Sequence, residues 1–330
     1  MCATLKWKVI AVILLVLGIA ACIVRWTMSY RITSNLEREV GFPHIFLTDR
    51  YTSEEFVSEQ LKKPRGIAVD QDGLVYVSDE ELCAVLVFSP QGDLVRKIGG
   101  IGSRPGEFLS PKGITINDNR LYLADYGNQR IVVLTTAGDL VQEISLSERQ
   151  LNPLDLAVVE DGIYFTVWAT SEDVHRIYHV SNDGRIPSYG KRLRGYLAEI
   201  DSTKAAFANE LVFPTGSSMW INGMKTKVWA EAGENEVSLV DGKLTRAFEL
   251  PYKYQPRDFV YSPTSQTYYF ISGAYNDIDC FSKDGEYLGT VLDGSLGSEN
   301  KLEYIALARD GTLYCTAPNR GSVYRVRPVQ

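Results

Sequence analysis

Apolar residues in this chain fall into short runs separated by turn residues, and the arrangement repeats. Pro64-Arg65-Gly66-Ile67-Ala68-Val69 aligns with Pro111-Lys112-Gly113-Ile114-Thr115-Ile116. Leu74-Val75-Tyr76-Val77-Ser78-Asp79 then aligns with Arg120-Leu121-Tyr122-Leu123-Ala124-Asp125. Phe88-Ser89-Pro90-Gln91-Gly92-Asp93-Leu94-Val95 aligns with Leu134-Thr135-Thr136-Ala137-Gly138-Asp139-Leu140-Val141. Each unit reads as an apolar strand, a turn, a Tyr-bearing strand, a loop, a third strand, a Gly-Asp turn and a fourth strand. Four short strands in a repeat of about 40–45 residues predict a propeller blade.

Fainter copies follow. One starts at Pro153-Leu154-Asp155-Leu156, one at Pro256-Arg257-Asp258-Phe259 and one at Leu302-Glu303-Tyr304-Ile305. Between the third and the fifth there is room for one irregular unit, with its inner strand at Asn209-Glu210-Leu211-Val212-Phe213 and a turn at Val240-Asp241-Gly242-Lys243. The expected fold is therefore all-β: a six-bladed β-propeller of four-stranded antiparallel blades. The last repeat stops after three strands at Arg325-Val326-Arg327-Pro328, and a ring must close or leave a raw edge. An N-terminal strand is expected to close it, around His44-Ile45-Phe46-Leu47-Thr48.

The N-terminus has a different pattern. Val9 to Val24 is an unbroken run of apolar or small residues, preceded by Lys6 and Lys8 and followed by Arg25. At about 1.5 Å per residue this run is slightly short of a bilayer core. Trp7 and Trp26 flank it and extend the span, placing indoles at both interfaces. This reads as an uncleaved transmembrane signal-anchor helix. Ile19-Ala20-Ala21-Cys22 also resembles a lipobox, which would make the chain a lipoprotein anchored at Cys22, but the apolar stretch continues past Cys22. A cleaved signal is the third reading. All three put the remainder on the extracytoplasmic side of a membrane. The organisation expected is an anchor at 1–27, a stalk at 28–43 and a propeller at 44–330.

Composition narrows the chemistry. Hydrophobic residues make up 45% of the chain, enough for a packed core, and 19 Tyr suit half-buried pleated surfaces. A net charge of -7 and the lack of a basic patch exclude a nucleic-acid footprint. Cys83, Cys280 and Cys315 match no zinc or disulfide spacing and read as buried hydrophobes. His175 and His179 share one strand face about 13 Å apart, too far for one metal ion. Trp168, Trp220 and Trp229 read as core residues, or as stacking platforms for a sugar or protein partner.

The second repeat resembles the NHL-repeat family of six-bladed propellers, through Pro111-x-Gly113-Ile114, Leu121-Tyr122-Leu123-Ala124-Asp125 and Asn128-Gln129-Arg130-Ile131. The linker Gly99 to Phe108 is similar to that family's inter-repeat linker. The first repeat keeps Asp79 but has Leu82-Cys83-Ala84 where Asn-x-Arg is expected. In physical terms Asp125, Asn128 and Arg130 form a structural loop clamp, with Asp79 its partial counterpart.

Propellers act at the mouth of the central channel. The residues before the inner strands are Gly66, Gly113, Asp155, Glu210, Asp258 and Tyr304, with Arg65, Lys112, Arg257 and Glu303 beside them. Three acids on consecutive blades, Asp155, Glu210 and Asp258, are candidate ligands for a hard cation such as Ca²⁺. The resemblance implies the same place, because calcium-dependent lactonases and esterases of related propellers bind their ion there with Glu, Asp and Asn. The competing expectation is an exposed polar ring in which Arg65, Lys112 and Arg257 balance the acids. No nucleophile elbow, P-loop or dinucleotide fingerprint is present. The favoured function is a membrane-tethered binding or scaffold module for a protein or carbohydrate; the alternative is a metal-dependent lactonase-like hydrolase.

Overall fold

The computed structural model describes residues 45–329, apart from 160–161, 170–173, 182–183, 187–190, 193–196, 201–204, 208–210, 213–216, 219–226, 232–243, 250–255, 273–275, 284–285 and 294–300. Residues 44–330 form one compact unit and 1–43 another. The expected anchor and stalk lie outside the described residues. Among the described residues no helix is long and apolar enough to cross a membrane.

Five four-stranded antiparallel sheets are arranged as blades. The first is Pro64–Val69, Val75–Asp79, Ala84–Phe88 and Leu94–Gly99. The second is Pro111–Asn117, Arg120–Asp125, Arg130–Thr135 and Leu140–Ser145, and the third is Pro153–Val159, Gly162–Ala169, Val174–Ser181 and Lys191–Arg192. The penultimate is Pro256–Ser262, Thr267–Ser272, Ile278–Ser282 and Tyr287–Leu292. The last has Ile305–Leu307, Leu313–Ala317 and Ser322–Pro328 from the C-terminus and takes Tyr51–Val57 as its outer strand.

The strand sequences follow from their places. Val75–Asp79 and Ala84–Phe88 are buried at every position, because a blade's middle strands are covered on both faces by neighbouring blades. Ala84–Phe88 is apolar throughout, and Val75–Asp79 ends on the buried polar pair Ser78-Asp79. The outer strand Leu94–Gly99 sits on the circumference and is largely exposed. The turns into the outer strands need positive φ, which Gly92 (99°) and Gly138 (103°) adopt without a Cβ penalty.

The core is a chain of clusters, each shared by two blades. One joins the penultimate and last blades and contains Ile271, Ile278, Ile305 and Leu313. Another joins the last blade to the first through Val323, Tyr314, Ile67 and Leu86. Two more join the first blade to the second and the second to the third. Cys83, Cys280 and Cys315 are buried free thiols within this packing.

Two expectations are corrected. The described strands within 197–249 pair as two three-stranded sheets where one four-stranded blade was expected. Leu211–Val212 pairs in parallel with Lys227–Glu231, a pairing that an up-and-down blade does not contain. The backbone of Leu197–Ile200 and Ser217–Ser218 nonetheless lies against the inner strands of both the third and the penultimate blades.

The closing strand is also displaced. Tyr51–Val57 pairs antiparallel with Ser322–Pro328, from Tyr51 opposite Pro328 to Val57 opposite Val323. The segment expected in that role runs instead along the penultimate blade: Leu47 N donates to Thr290 O (2.9 Å) and Thr290 N to Ile45 O (2.8 Å). Sequence Tyr-Thr-Ser-Glu-Glu-Phe-Val is too polar to read as a core strand. An outer strand, however, buries little, and here only its two ends turn inward, Tyr51 at one and Phe56-Val57 at the other. The Phe56 ring meets Tyr314 edge-on at 5.0 Å and carries the Arg325 guanidinium 4.6 Å above it. Phe56→Ala is therefore expected to lower stability by roughly 2–3 kcal/mol, measured by urea unfolding; a change within error would show that the closing strand is held by its backbone alone.

Candidate functional site

Inner strands begin at one end of the channel and finish at the other, and in four of the five four-stranded blades the inner strand carries a bulge at its start. The register slips between Pro64 and Ile67, Pro111 and Ile114, Pro153 and Asp155, and Pro256 and Asp258. The bulge turns the residue before each inner apolar position towards the next blade. Gly66 and Gly113 are small because that neighbour is close. A Cβ on Gly113 would stand 2.0 Å from Asp155 Oδ1, and one on Gly66 2.6 Å from Ile114 N.

Asp155 and Asp258 occupy the same position and are buried, not exposed on a rim as the sequence suggested. Asp258 Oδ1 accepts the amide of Phe259 (2.9 Å), and Oδ2 accepts that of Ile305 on the next blade (2.8 Å). Asp155 Oδ1 accepts the amide of Leu156 (2.9 Å). Carboxylates held this way satisfy backbone donors at the bulge. Glu210 lies outside the described residues. Among the described residues no three His, Cys, Asp or Glu side chains are grouped to hold a metal ion.

The basic residues have other partners. Arg65 Nε donates to Glu80 Oε2 (2.5 Å), and its Nη1 pairs with Glu303 of the last blade. Lys112 Nζ meets Glu80 Oε2 at 2.8 Å, and Lys63 Nζ meets Oε1 at 3.3 Å. Arg257 donates to the Leu302 carbonyl (2.7 Å) and feels the charge of Glu303. Lys112, Glu80, Arg65, Glu303 and Arg257 thus alternate in sign across four blades. Lys112 also sits 5.4 Å above the Tyr126 ring. Tyr304 is buried within the mouth. Burial, then the charges of Asp155, Glu303 and Asp258, push its hydroxyl well above the ordinary value, with Arg65 opposing them. Burial pulls Lys112 and Arg257 down.

Glu80 was not singled out from the sequence, although the repeat contains its signal. It follows Asp79 as Tyr126 follows Asp125, and both of those positions face Lys112. Burial raises the Glu80 carboxyl, but the hydrogen bond from Lys112 and the charge and hydrogen bond of Arg65 outweigh it and hold it at about 2.

The clamp residues sit away from the axis. Asp125 Oδ1 accepts the Leu109 amide (2.8 Å), while Oδ2 accepts Asn128 Nδ2 and Arg130 Nε (both 2.8 Å). The same Arg130 donates to the carbonyls of Ser103 (3.1 Å) and Glu107 (2.6 Å) and to the Glu143 carboxylate (2.8 Å). These bonds fasten the inter-blade linker to the second blade. Asp79 does the same in the first blade with backbone donors alone: Lys62, Lys63, Glu81 and Leu82. That is why the first repeat dispenses with Asn and Arg. His179 stacks on Tyr164 across its strand pair, ring centroids 4.3 Å apart. The side chains of Trp168, Trp220 and Trp229 lie outside the described residues.

Residues 51–212 match the family model DUF5128, described as a 6-bladed beta-propeller. A streptogramin B lyase structure is similar at 16% identity and a TM-score of 0.59, covering 85% of this chain and 99% of the other. A gluconolactonase from Xanthomonas campestris is similar at 15% identity and 0.56, covering 84% and 90%. A virginiamycin B lyase from Staphylococcus aureus is similar at 14% and 0.55, covering 84% and 100%. The fold is a β-propeller. At such identities the likeness shows architecture alone. The matched family is six-bladed, whereas five four-stranded blades are described in this chain, with the two small sheets of 197–249 between the third and the penultimate in sequence.

The lowered Glu80 carboxyl makes the rim an acid-sensitive element. A carboxyl whose folded value lies below its unfolded one adds stability that is complete above the unfolded value, 4.5, and is lost as pH falls through about 2. Glu80→Gln should therefore narrow its stability gap to the wild type as pH falls from about 5 to about 2. Chemical denaturation along a pH series reads this directly, and parallel curves would refute the assignment.

Proposed function

We propose that this chain is a membrane-tethered, extracytoplasmic propeller whose charged channel mouth serves as a binding face for a protein or carbohydrate partner. The observation that carries this reading is the use made of the acids. Asp258 is buried and spends both carboxylate oxygens on backbone amides, while Glu80 and Glu303 are neutralised by Arg65 and Lys112. A hard cation needs carboxylate oxygens free to turn towards it. An alternating rim instead offers donors and acceptors side by side, which suits recognition of polar surface. The tether is supported by the run Val9–Val24 between Trp7 and Trp26. The lyase and gluconolactonase neighbours keep the hydrolase alternative in view, with Asp155, Glu210 and Asp258 as its calcium ligands.

Calcium decides between the two. A ligand that binds only the folded form raises the melting temperature as its concentration exceeds the dissociation constant. Millimolar Ca²⁺ is expected to leave the melting temperature unchanged. Asp258→Asn is expected to cost about 1–3 kcal/mol with or without the ion, because the amide replaces an acceptor with a donor at a buried N–H. A saturable calcium-dependent rise that disappears in Asp258→Asn would establish the metal site and overturn the binding-module reading.

The tether has its own test. The full chain is expected to remain in the membrane pellet through an alkaline carbonate wash, and a chain starting at residue 44 in the supernatant. Release of the full chain by the wash would refute the anchor.

A further inference from the structure

The end of the channel opposite the mouth carries a second repeat signal. Three residues beyond Gly66, Gly113, Asp155, Asp258 and Tyr304, the five four-stranded blades place Val69, Ile116, Val158, Tyr261 and Leu307. All five are half-buried, whereas the residues two places earlier, Ile67, Ile114, Leu156, Phe259 and Ile305, are buried. Four of the five half-buried side chains line a cavity of about 690 Å³. It lies among the far ends of the inner strands, between the turns 262–265 and 308–311. Its rim holds the hydroxyls of Ser262, Thr264 and Ser265 and, further out, the Tyr51 and Tyr269 pair at 3.0 Å.

The charge balance of this cavity differs from that of the mouth. Besides tyrosines, its ionisable lining is Arg309 and Asp310, adjacent and of opposite sign. Arg309 reaches the Gln71 side chain (3.5 Å), and Asp310 accepts the Thr312 amide (2.9 Å). Burial keeps Tyr51 and Tyr261 protonated. Arg309 and Asp310 leave the lining without net charge, so a charged ligand would enter an apolar ring with no net counter-charge, which costs several kcal/mol. An apolar ligand would cover aliphatic surface that no neighbouring blade covers, at about 25 cal/mol per Å². The volume falls within the roughly 300–1,000 Å³ of small-molecule sites.

We propose that the far end of the channel is a binding site for a small, neutral, largely apolar molecule, held by the ring of Val69, Ile116, Tyr261 and Leu307 and oriented by the hydroxyls at its rim. It is separate from the charged mouth and independent of the partner proposed there.

The neutral fluorophore N-phenyl-1-naphthylamine is the probe. Titrated into the full chain in detergent micelles, with empty micelles subtracted, it is expected to gain fluorescence saturably at one site per chain. Ala308→Phe, which fills the cavity, is expected to weaken binding by roughly tenfold or more. Leu94→Ser, which removes an exposed apolar side chain from the outer edge of the first blade, is expected to leave it unchanged. Circular dichroism and melting confirm that each variant is folded. Val69→Phe, on the first-blade wall, gives the same reading should Ala308→Phe fail to fold. A non-saturable signal overturns the proposal, as does unaltered binding in a folded cavity-filling variant or loss of binding in Leu94→Ser.

Discussion

A blade of this chain can bury both faces only if it has a neighbour on each side, and the rest of the structure depends on that requirement. Ala84–Phe88 is apolar on both sides because one face packs towards the last blade and the other towards the second. The last blade meets the same requirement with three strands from one end of the chain and one from the other. Pairing of Tyr51–Val57 with Ser322–Pro328 removes the raw edge that the C-terminal strand would otherwise present. It also brings Phe56 and Val57 onto the cluster shared with the first blade.

Near the axis, closure brings the blades so close that few side chains fit. Gly66 and Gly113 occur where backbone meets backbone, and Asp258 where an amide of the next blade needs an acceptor. These acids are joints between blades. The charges left to face outward belong to Arg65, Lys112, Glu80 and Glu303, and they pair across blade boundaries. The rim therefore reports on ring geometry: a blade that shifts separates an ion pair with it. Partly buried pairs of this kind gain from the lowered dielectric only while their geometry holds.

The two channel ends are made from the same strands and differ because of the bulge. At the mouth it turns one residue inward on each of four blades, Asp258 into a bond with the next blade, and leaves polar neighbours on the rim. Three residues on, the strands are regular and their side chains alternate, so each blade contributes one half-covered apolar group to the channel. One fold thus presents a polar, charge-paired face at one end and, at the other, a recess with an apolar ring and no net charge in its lining.

The sequence by itself determined the β-repeat, its turns and its clamp. Pairing, turn and capping chemistry are local, so Gly92, Asp79 and Asp125 with Asn128 and Arg130 are legible from neighbours a few residues away. The half-buried ring at the far end is periodic too and is visible once the repeats are aligned. Tertiary structure decided what depends on distant partners. Nothing local marks the polar Tyr51–Val57 as the closing strand, because an outer strand is specified by the edge it meets and buries little of its own. Glu80 reaches Arg65 across the first blade, 15 positions along the chain, and Glu303 became its second partner only through the approach of the first and last blades, 238 positions apart. Asp155 and Asp258 read in the sequence as cation ligands or as rim acids balanced by Arg65, Lys112 and Arg257, and the bulge buries both. A carboxylate's role is set by the donors within about 3 Å of it, and in a closed ring those donors come from the next blade.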